Sequence, residues 1–439
     1  MNSVQFRNDT IVLIFLITII IFLIHIYMSS SRQDPPYSQF SFNSNHIKQY
    51  KKHSIITHVL LFLGTFASSM MAGAAWAGQS PLEITNWVYG FTYASLLMIF
   101  LSAHEFGHYI AARFHKVDAS LPYFIPLPIP FASMFGTLGA YIRTRSAIPN
   151  RKALFDIGAA GPLAGFIVCL IIFIIGLVQL PSIDYLYSIH PEYRQYGTNA
   201  PLWGIYFGDT LLYPWLASIF ASPHGYLPPM NEIYHYPFLC VGWFGMFVTS
   251  LNMLPMGQLD GGHITFAMFG SKQSIIARIS WWIIFSLGIG SFLGWFYEQI
   301  VVESPGEFYT TIQSILLPTF LWIKLHAPWI YNGWNGWLFW ALITRFFIKL
   351  DHPPVSGDSI GPIRMILGWL SLCIFVVTFA YNGIYEIPKQ EDIIHRNIDR
   401  NTSKEKKIIE LLPQMDIYHD IKTTYDYSLN PCLLTSDIF

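Results

Sequence analysis

The segment Ser102–Arg113 reads SAHEFGHYIAAR and carries His104, Glu105 and His108 in the order H-E-x-x-H. On an α-helix, positions i and i+4 lie about 40° apart in projection, so both imidazoles can face one metal ion. Glu105, about 100° round from His104, can reach a water activated by that ion and take its proton. Zinc that keeps an open coordination position lowers the pKa of such a water to roughly 7, so the pattern offers hydrolysis at neutral pH. Two histidines leave zinc short of a ligand. The run SLNMLPMGQLDGGHI supplies Asp260 at the end of an apolar segment, with Gly261 and Gly262 after it to let the backbone turn beside the metal. Asp156, which opens another apolar segment, is the main rival, and His263 is a third option. A plainer reading makes the motif two interfacial histidines and a surface glutamate. Its setting argues against that: the residues sit on the apolar run FTYASLLMIFLSAHEFGHYIAA, and ionisable groups inside a spanning helix are costly and usually functional.

The elements that must position these groups belong in a bilayer. Of 439 residues, 53% are hydrophobic and 12% charged, with mean hydropathy +0.41. Soluble domains carry about 25% charged residues, and half of that cannot solvate a globule of this size. Spanning helices need about 20 apolar residues, which predicts an all-α polytopic protein with about eight spans. They are Ile11–Met28, Ile55–Trp76, Trp87–His108, Leu154–Leu180, Phe238–Leu259, Ile279–Phe296, Trp337–Leu350 and Ile363–Ile384. Tyr309–Lys324, interrupted by Pro318, is read as interfacial or partly dipping. Ile11–Met28 reads as an uncleaved anchor rather than a signal peptide.

Loop charges set the orientation. Segments 29–54 and 113–152 are rich in Lys and Arg, whereas 181–235 contains Arg194 alone. The loops 29–54, 113–152, 260–278 and 351–362 are therefore expected in the cytoplasm, with the active site on that side. The 181–235 loop and both termini fall outside. The absence of a transit peptide before the first span favours a cell membrane. Three regions follow: 1–54 as anchor and linker, 55–385 as the membrane domain with its catalytic core at about 87–265, and 386–439 as a polar tail.

Several function classes are excluded. Net charge is −1, so there is no basic field for nucleic acid. Cys169, Cys240, Cys373 and Cys432 match neither a disulfide framework nor a thiolate metal cage. Gly158–Gly165 (GAAGPLAG) lacks the strand-turn-helix setting of a nucleotide loop, and its small residues suit close helix packing around the metal core. His115, His190, His224, His235 and His326 lack partners at ligand spacing and read as surface residues.

A strand is expected beside the motif. Leu121–Phe131 holds Pro122, Pro126, Pro128 and Pro130, which forbid an ordinary helix. The following Gly136, Thr137, Leu138, Gly139, Ala140, Tyr141 and Ile142 alternate in the manner of a short strand or hairpin. Its open edge could pair with an extended substrate through backbone hydrogen bonds.

Taken together, His104-Glu105-Phe106-Gly107-His108 and Leu259-Asp260-Gly261 resemble the paired motifs of the site-2 protease type of intramembrane zinc metalloprotease. The stretch FGTLGAYIRTRSAIPNRKALFDIGAAGPLAG and His352-Pro353-Pro354 resemble the longer, multi-span branch. Leu259 stands where the commoner motif has proline. The resemblance covers about 55–385. It implies zinc held by His104, His108 and Asp260, and Glu105 as general base and then general acid. It also implies that Asn252 hydrogen-bonds the scissile peptide or its oxyanion, and that a short re-entrant β element lies near the active site. The substrate would be a transmembrane protein or peptide, cut within or near the bilayer. Two rivals stand beside it: a ZIP-like zinc transporter, and a catalytically silent relative that binds membrane segments. The first lacks a second metal-binding helix motif and a His-rich loop, and the second leaves the intact Glu105 unexplained.

Overall fold

The computed structural model describes residues 55–128, 135–198, 201, 203–301, 307–327, 330–331, 334–357 and 359–387. The expected anchor Ile11–Met28, Pro130 and the polar tail beyond 387 lie outside the described residues. The described residues form two units, 203–205 with 386–387 and all the others; every element discussed below lies in the larger.

Four helices among the described residues are long and apolar enough to cross a membrane: Ile55–Trp76, Ile84–Phe114, Arg151–Val178 and Asp260–Tyr297. We call Ile55–Trp76 α1, Phe91–Phe114 α2 and Arg151–Val178 α3. Leucine, isoleucine and phenylalanine side chains project outward from them, with Ile99, Ile110, Ile167 and Ile171 each more than half exposed. Water would penalise such a surface, whereas lipid does not.

The expectation of eight spans is corrected. Phe238–Leu259 is a shorter helix, α6 (Pro237–Asn252), of 16 residues. At 1.5 Å per residue it reaches about 24 Å, short of a hydrocarbon core of about 30 Å. The segments around 337–350 and 363–384 likewise shorten to Gly336–Ile348 and Pro362–Thr378. The 260–278 segment, expected as a cytoplasmic loop, is helical: α7 (Asp260–Phe269) leads through a single 3-10 turn into α8 (Gln273–Val301). Tyr309–Lys324 lies within α9 (Glu307–His326), which continues through Pro318.

Helix crossings are made at backbone distance. A Cβ on Gly73 of α1 would stand 2.7 Å from the Cα of Gly90, and one on Gly107 of α2 would stand 2.5 Å from the carbonyl oxygen of Ala160 in α3. A Cβ on Gly245 of α6 would stand 2.7 Å from Cys169 Sγ of α3, whose thiol donates to the Gly242 carbonyl at 2.9 Å. Without a hydrophobic force between helices in lipid, such small-residue contacts and buried hydrogen bonds hold the bundle. Phe100, Phe155, Phe173, Trp243 and Phe244 are fully buried. α3 starts cleanly because the Asn150 side chain accepts from the Ala153 N–H at 2.9 Å.

Between α2 and α3 the chain forms a hairpin. β1 (Tyr123–Pro126) pairs antiparallel with β2 (Thr137–Tyr141), Tyr123 opposite Tyr141 and Pro126 opposite Thr137, with an irregularity between Phe124 and Pro126. The prolines that prevent a helix here leave the chain extended. The hairpin rests on α1, where His58 Nδ1 donates to the Pro122 carbonyl at 3.0 Å and Phe62 meets Phe124 edge-on.

Candidate metal centre

α2 carries His104 and His108 one turn apart, with their Nε2 atoms 3.1 Å from each other. Asp260 is the first residue of α7, not the last of the preceding helix as the apolar run suggested. Its carboxylate spans both rings: Oδ2 lies 3.3 Å from His104 Nε2, and Oδ1 lies 3.3 Å from His108 Nε2. The three residues thus bring one donor atom each into a common space, where the two histidines are buried and Asp260 is partly exposed.

How Asp260 gets there is a backbone matter. α6 stops at Asn252, and the chain turns through Met253–Leu259 before α7 begins. Gly257 has φ +51°, the left-handed conformation that side chains disfavour. Its N–H donates to the Leu350 carbonyl at 2.9 Å. Gln273 Nε2 donates to the carbonyls of Pro255 and Leu350 at 3.2 and 3.1 Å, pinning the same turn from α8. Gly261 and Gly262 do not make the turn, as the sequence suggested. They are helical, and a Cβ on either would collide with the Met253 or Gly257 carbonyl. Their role is close approach.

The donor set suits zinc. Tetrahedral ligands at zinc–nitrogen and zinc–oxygen distances of about 2.0–2.1 Å sit about 3.3 Å from one another, close to the 3.1 and 3.3 Å separations here. His108 Nδ1–H donates to the Ile157 carbonyl at 2.7 Å, which leaves the Nε2 lone pair facing the cluster. The His104 ring nitrogen and the Asp260 carboxylate share that buried space, and a divalent cation would satisfy all three donors.

The other residues singled out from sequence take varied positions. Glu105 is buried on α2 beside this cluster, with 6% of its surface exposed. Asn252, the last residue of α6, has Nδ2 3.5 Å from His104 Nε2. Asp156 is held elsewhere: Arg364 donates to its two oxygens at 2.7 and 2.8 Å, and His115 Nε2 lies 2.7 Å from Oδ2. His263 Nδ1 is 2.7 Å from His352 Nε2. Just before β2, Gly136 has φ +75° and packs so closely on α1 that a Cβ would strike the Ser68 carbonyl. The Thr137 hydroxyl donates to the Ile125 carbonyl at 2.8 Å, and Leu138 packs against Ile343. Gly139, at φ +92°, has open space on its Cβ side.

One feature sharpens the sequence reading, which expected Gly158–Gly165 to pack around the metal core, and another escaped it. Gly161 of α3 lies flat against His108, leaving no room for a Cβ. His190 and His235 are not isolated surface groups either, because they meet Glu232. No spacing rule joins residues so far apart on irregular backbone.

The model of peptidase family M50 matches residues 92–289, a stretch that runs from α2 through the first half of α8 and contains every donor described above. Residues 92–289 are thus similar to peptidase family M50. The chain is 29% identical over 251 residues to probable zinc metalloprotease EGY1, chloroplastic, of Arabidopsis thaliana, covering 53% of this chain and 43% of that protein. It is 31% identical over 204 residues to probable zinc metalloprotease EGY2, chloroplastic, of Oryza sativa subsp. indica, covering 46% and 33%. Probable zinc metallopeptidase EGY3, chloroplastic, of Arabidopsis thaliana is 31% identical over 201 residues, covering 44% and 32%. The chain therefore spans less than half the length of these relatives. No solved structure gives a significant match. The matched stretch contains the candidate centre: His104, His108 and Asp260 all fall inside 92–289.

Proposed function

We propose that this protein is a zinc-dependent intramembrane endopeptidase that hydrolyses peptide bonds in or near transmembrane segments of other membrane proteins. The observation that carries this reading is the convergence of His104 Nε2, His108 Nε2 and the Asp260 carboxylate, with Glu105 on the same helix turn. His104, His108 and Asp260 would hold zinc, which would supply Lewis-acid chemistry able to lower the pKa of a water to about 7. Glu105 takes the proton of the attacking water and passes it to the leaving amide nitrogen. The Asn252 amide donates to the carbonyl oxygen as negative charge develops there.

A helical substrate buries its amides in its own hydrogen bonds and must unwind to be cut. In this reading Gly136 and the start of β2, Thr137, Leu138 and Gly139, offer the unwound segment a backbone edge. The contacts of Gly136 and Thr137 with α1 and β1 support a divided role, in which those two hold the strand and the open Gly139 side receives substrate. The 55–385 region is the membrane domain, with its catalytic core at about 87–265.

We further place the centre at the cytoplasmic side of a cell membrane. Arg143, Arg145, Arg151 and Lys152 lie near the start of α3, whereas the loop after its far end has Arg194 alone. Water then reaches the metal by a short path without crossing the hydrocarbon. The compartment in the relatives' names is theirs. A zinc carrier is not favoured, because the family match is to peptidases.

The test is cleavage of a membrane-spanning reporter by the full chain reconstituted in vesicles. Glu105→Gln should keep its zinc and lose cleavage by more than about 100-fold, the scale of general acid–base catalysis. Undiminished cleavage by that variant would overturn the mechanism.

A further inference from the structure

The segment between α3 and α6 carries a second convergence of donors that the hydrolytic centre does not use. His190 follows the short helix α4 (Ile183–Ile189) and opens a 3-10 turn over Pro191–Tyr196. Glu232 precedes another 3-10 turn, Ile233–His235, which His235 ends two residues before α6 begins. The Nε2 atoms of His190 and His235 are 3.0 Å apart, and Glu232 Oε2 lies 3.6 Å from each.

Glu232 is 1% exposed, and its two oxygens differ in kind. Oε1 accepts from the Tyr193 hydroxyl at 3.0 Å and from Asn231 Nδ2 at 3.1 Å. Oε2 is buried, faces both imidazoles and has no hydrogen-bond partner. Leaving a charged oxygen so placed is expensive unless a cation meets it. The rings are also held in place. Tyr193 stacks on His190 at 4.6 Å, and the Tyr185 hydroxyl donates to the His235 carbonyl at 2.7 Å. Glu192 Oε1 lies 3.2 Å from His190 Nδ1, the carboxylate–histidine arrangement that fixes a tautomer with Nε2 free to ligate.

We propose that His190, Glu232 and His235 bind a divalent transition-metal ion, with zinc as the probe. Two imidazoles and a carboxylate suit zinc, and the partly exposed His190 leaves a way in from solvent. The ion joins residues 45 apart in sequence and ties α4 to the entry of α6. Its place is roughly one length of α6, about 24 Å, from the hydrolytic centre. The bland rival is a single proton shared between the two imidazoles, with no metal affinity.

The experiment is zinc stoichiometry by equilibrium dialysis of the purified full chain, with thermal unfolding as a second readout. The wild type should bind two zinc ions, and His104→Ala and His190→Ala should bind one each. His190→Ala should weaken the affected ion by more than the roughly 10–100-fold that loss of a supporting residue costs. It should also abolish the part of the zinc-induced rise in unfolding temperature that His104→Ala retains. A folded wild type whose zinc content is unchanged by His190→Ala would overturn the proposal. A single ion lost with His190→Ala but kept in His104→Ala would support it while removing zinc from the hydrolytic centre.

Discussion

Gly161 of α3 and His108 of α2 meet without a side chain between them: a Cβ at position 161 would overlap the His108 ring at Nε2, the atom that faces Asp260. The candidate metal centre is therefore shaped by a helix that contributes none of its proposed ligands. Gly165, one turn further, leaves only 3.1 Å between a Cβ and that of His104.

The first prediction follows from this contact. Gly161→Ala keeps every proposed ligand and should displace the His108 ring, because overpacking must be relieved by the ring or the backbone. Cleavage should fall by about 100-fold, the scale of a misplacement near 1 Å, with zinc content reduced. Gly78→Ala, in open space, serves as the control, although its φ of +73° carries local strain. Reporter cleavage and metal analysis check both.

Asp156 separates a structural acid from a ligand. Arg364 and His115 already occupy its oxygens, so Asp156→Ala should leave zinc content unchanged. It should cost about 1.5–3 kcal/mol of stability, the scale of charge-assisted hydrogen bonds, read as a lower unfolding temperature in detergent.

His352 gives a pH dependence. Its Nδ1–H donates to the Pro353 carbonyl and its Nε2 accepts from His263, while its ring stacks on Phe266 at 4.6 Å. Burial lowers its pKa below the ordinary histidine value. The unfolded chain then takes up the proton first, so this contribution is full above about pH 6.5 and is lost as pH falls below it. Thermal unfolding of His352→Gln against wild type between pH 7.5 and about 5 should show a shallower acid loss in the variant.

Much of this site was legible in the sequence because helical periodicity is local. His104, Glu105 and His108 announce a shared face from four residues of spacing, and the prolines of 122–128 with the alternation after Gly136 announce the hairpin. Asp260 was legible as a carboxylate at the end of an apolar run, but not as the opening of a helix. The break at Asn252 depends on Gly257 adopting positive φ and on Gln273 bonding the turn from another helix. Hydropathy carries neither fact, and so it overcounted the spans. The His190–Glu232–His235 cluster was missed for the same reason in stronger form: two irregular segments meet only after α3 and α6 have packed.

The central claim is that one zinc ion sits between His104, His108 and Asp260. Zinc K-edge X-ray absorption on His190→Ala protein, which removes the second cluster's contribution, tests it most directly. Two imidazole scatterers with oxygen ligands and no sulfur are expected, with loss of the metal or of one oxygen ligand in a further Asp260→Ala variant. A spectrum that Asp260→Ala leaves unchanged would contradict it.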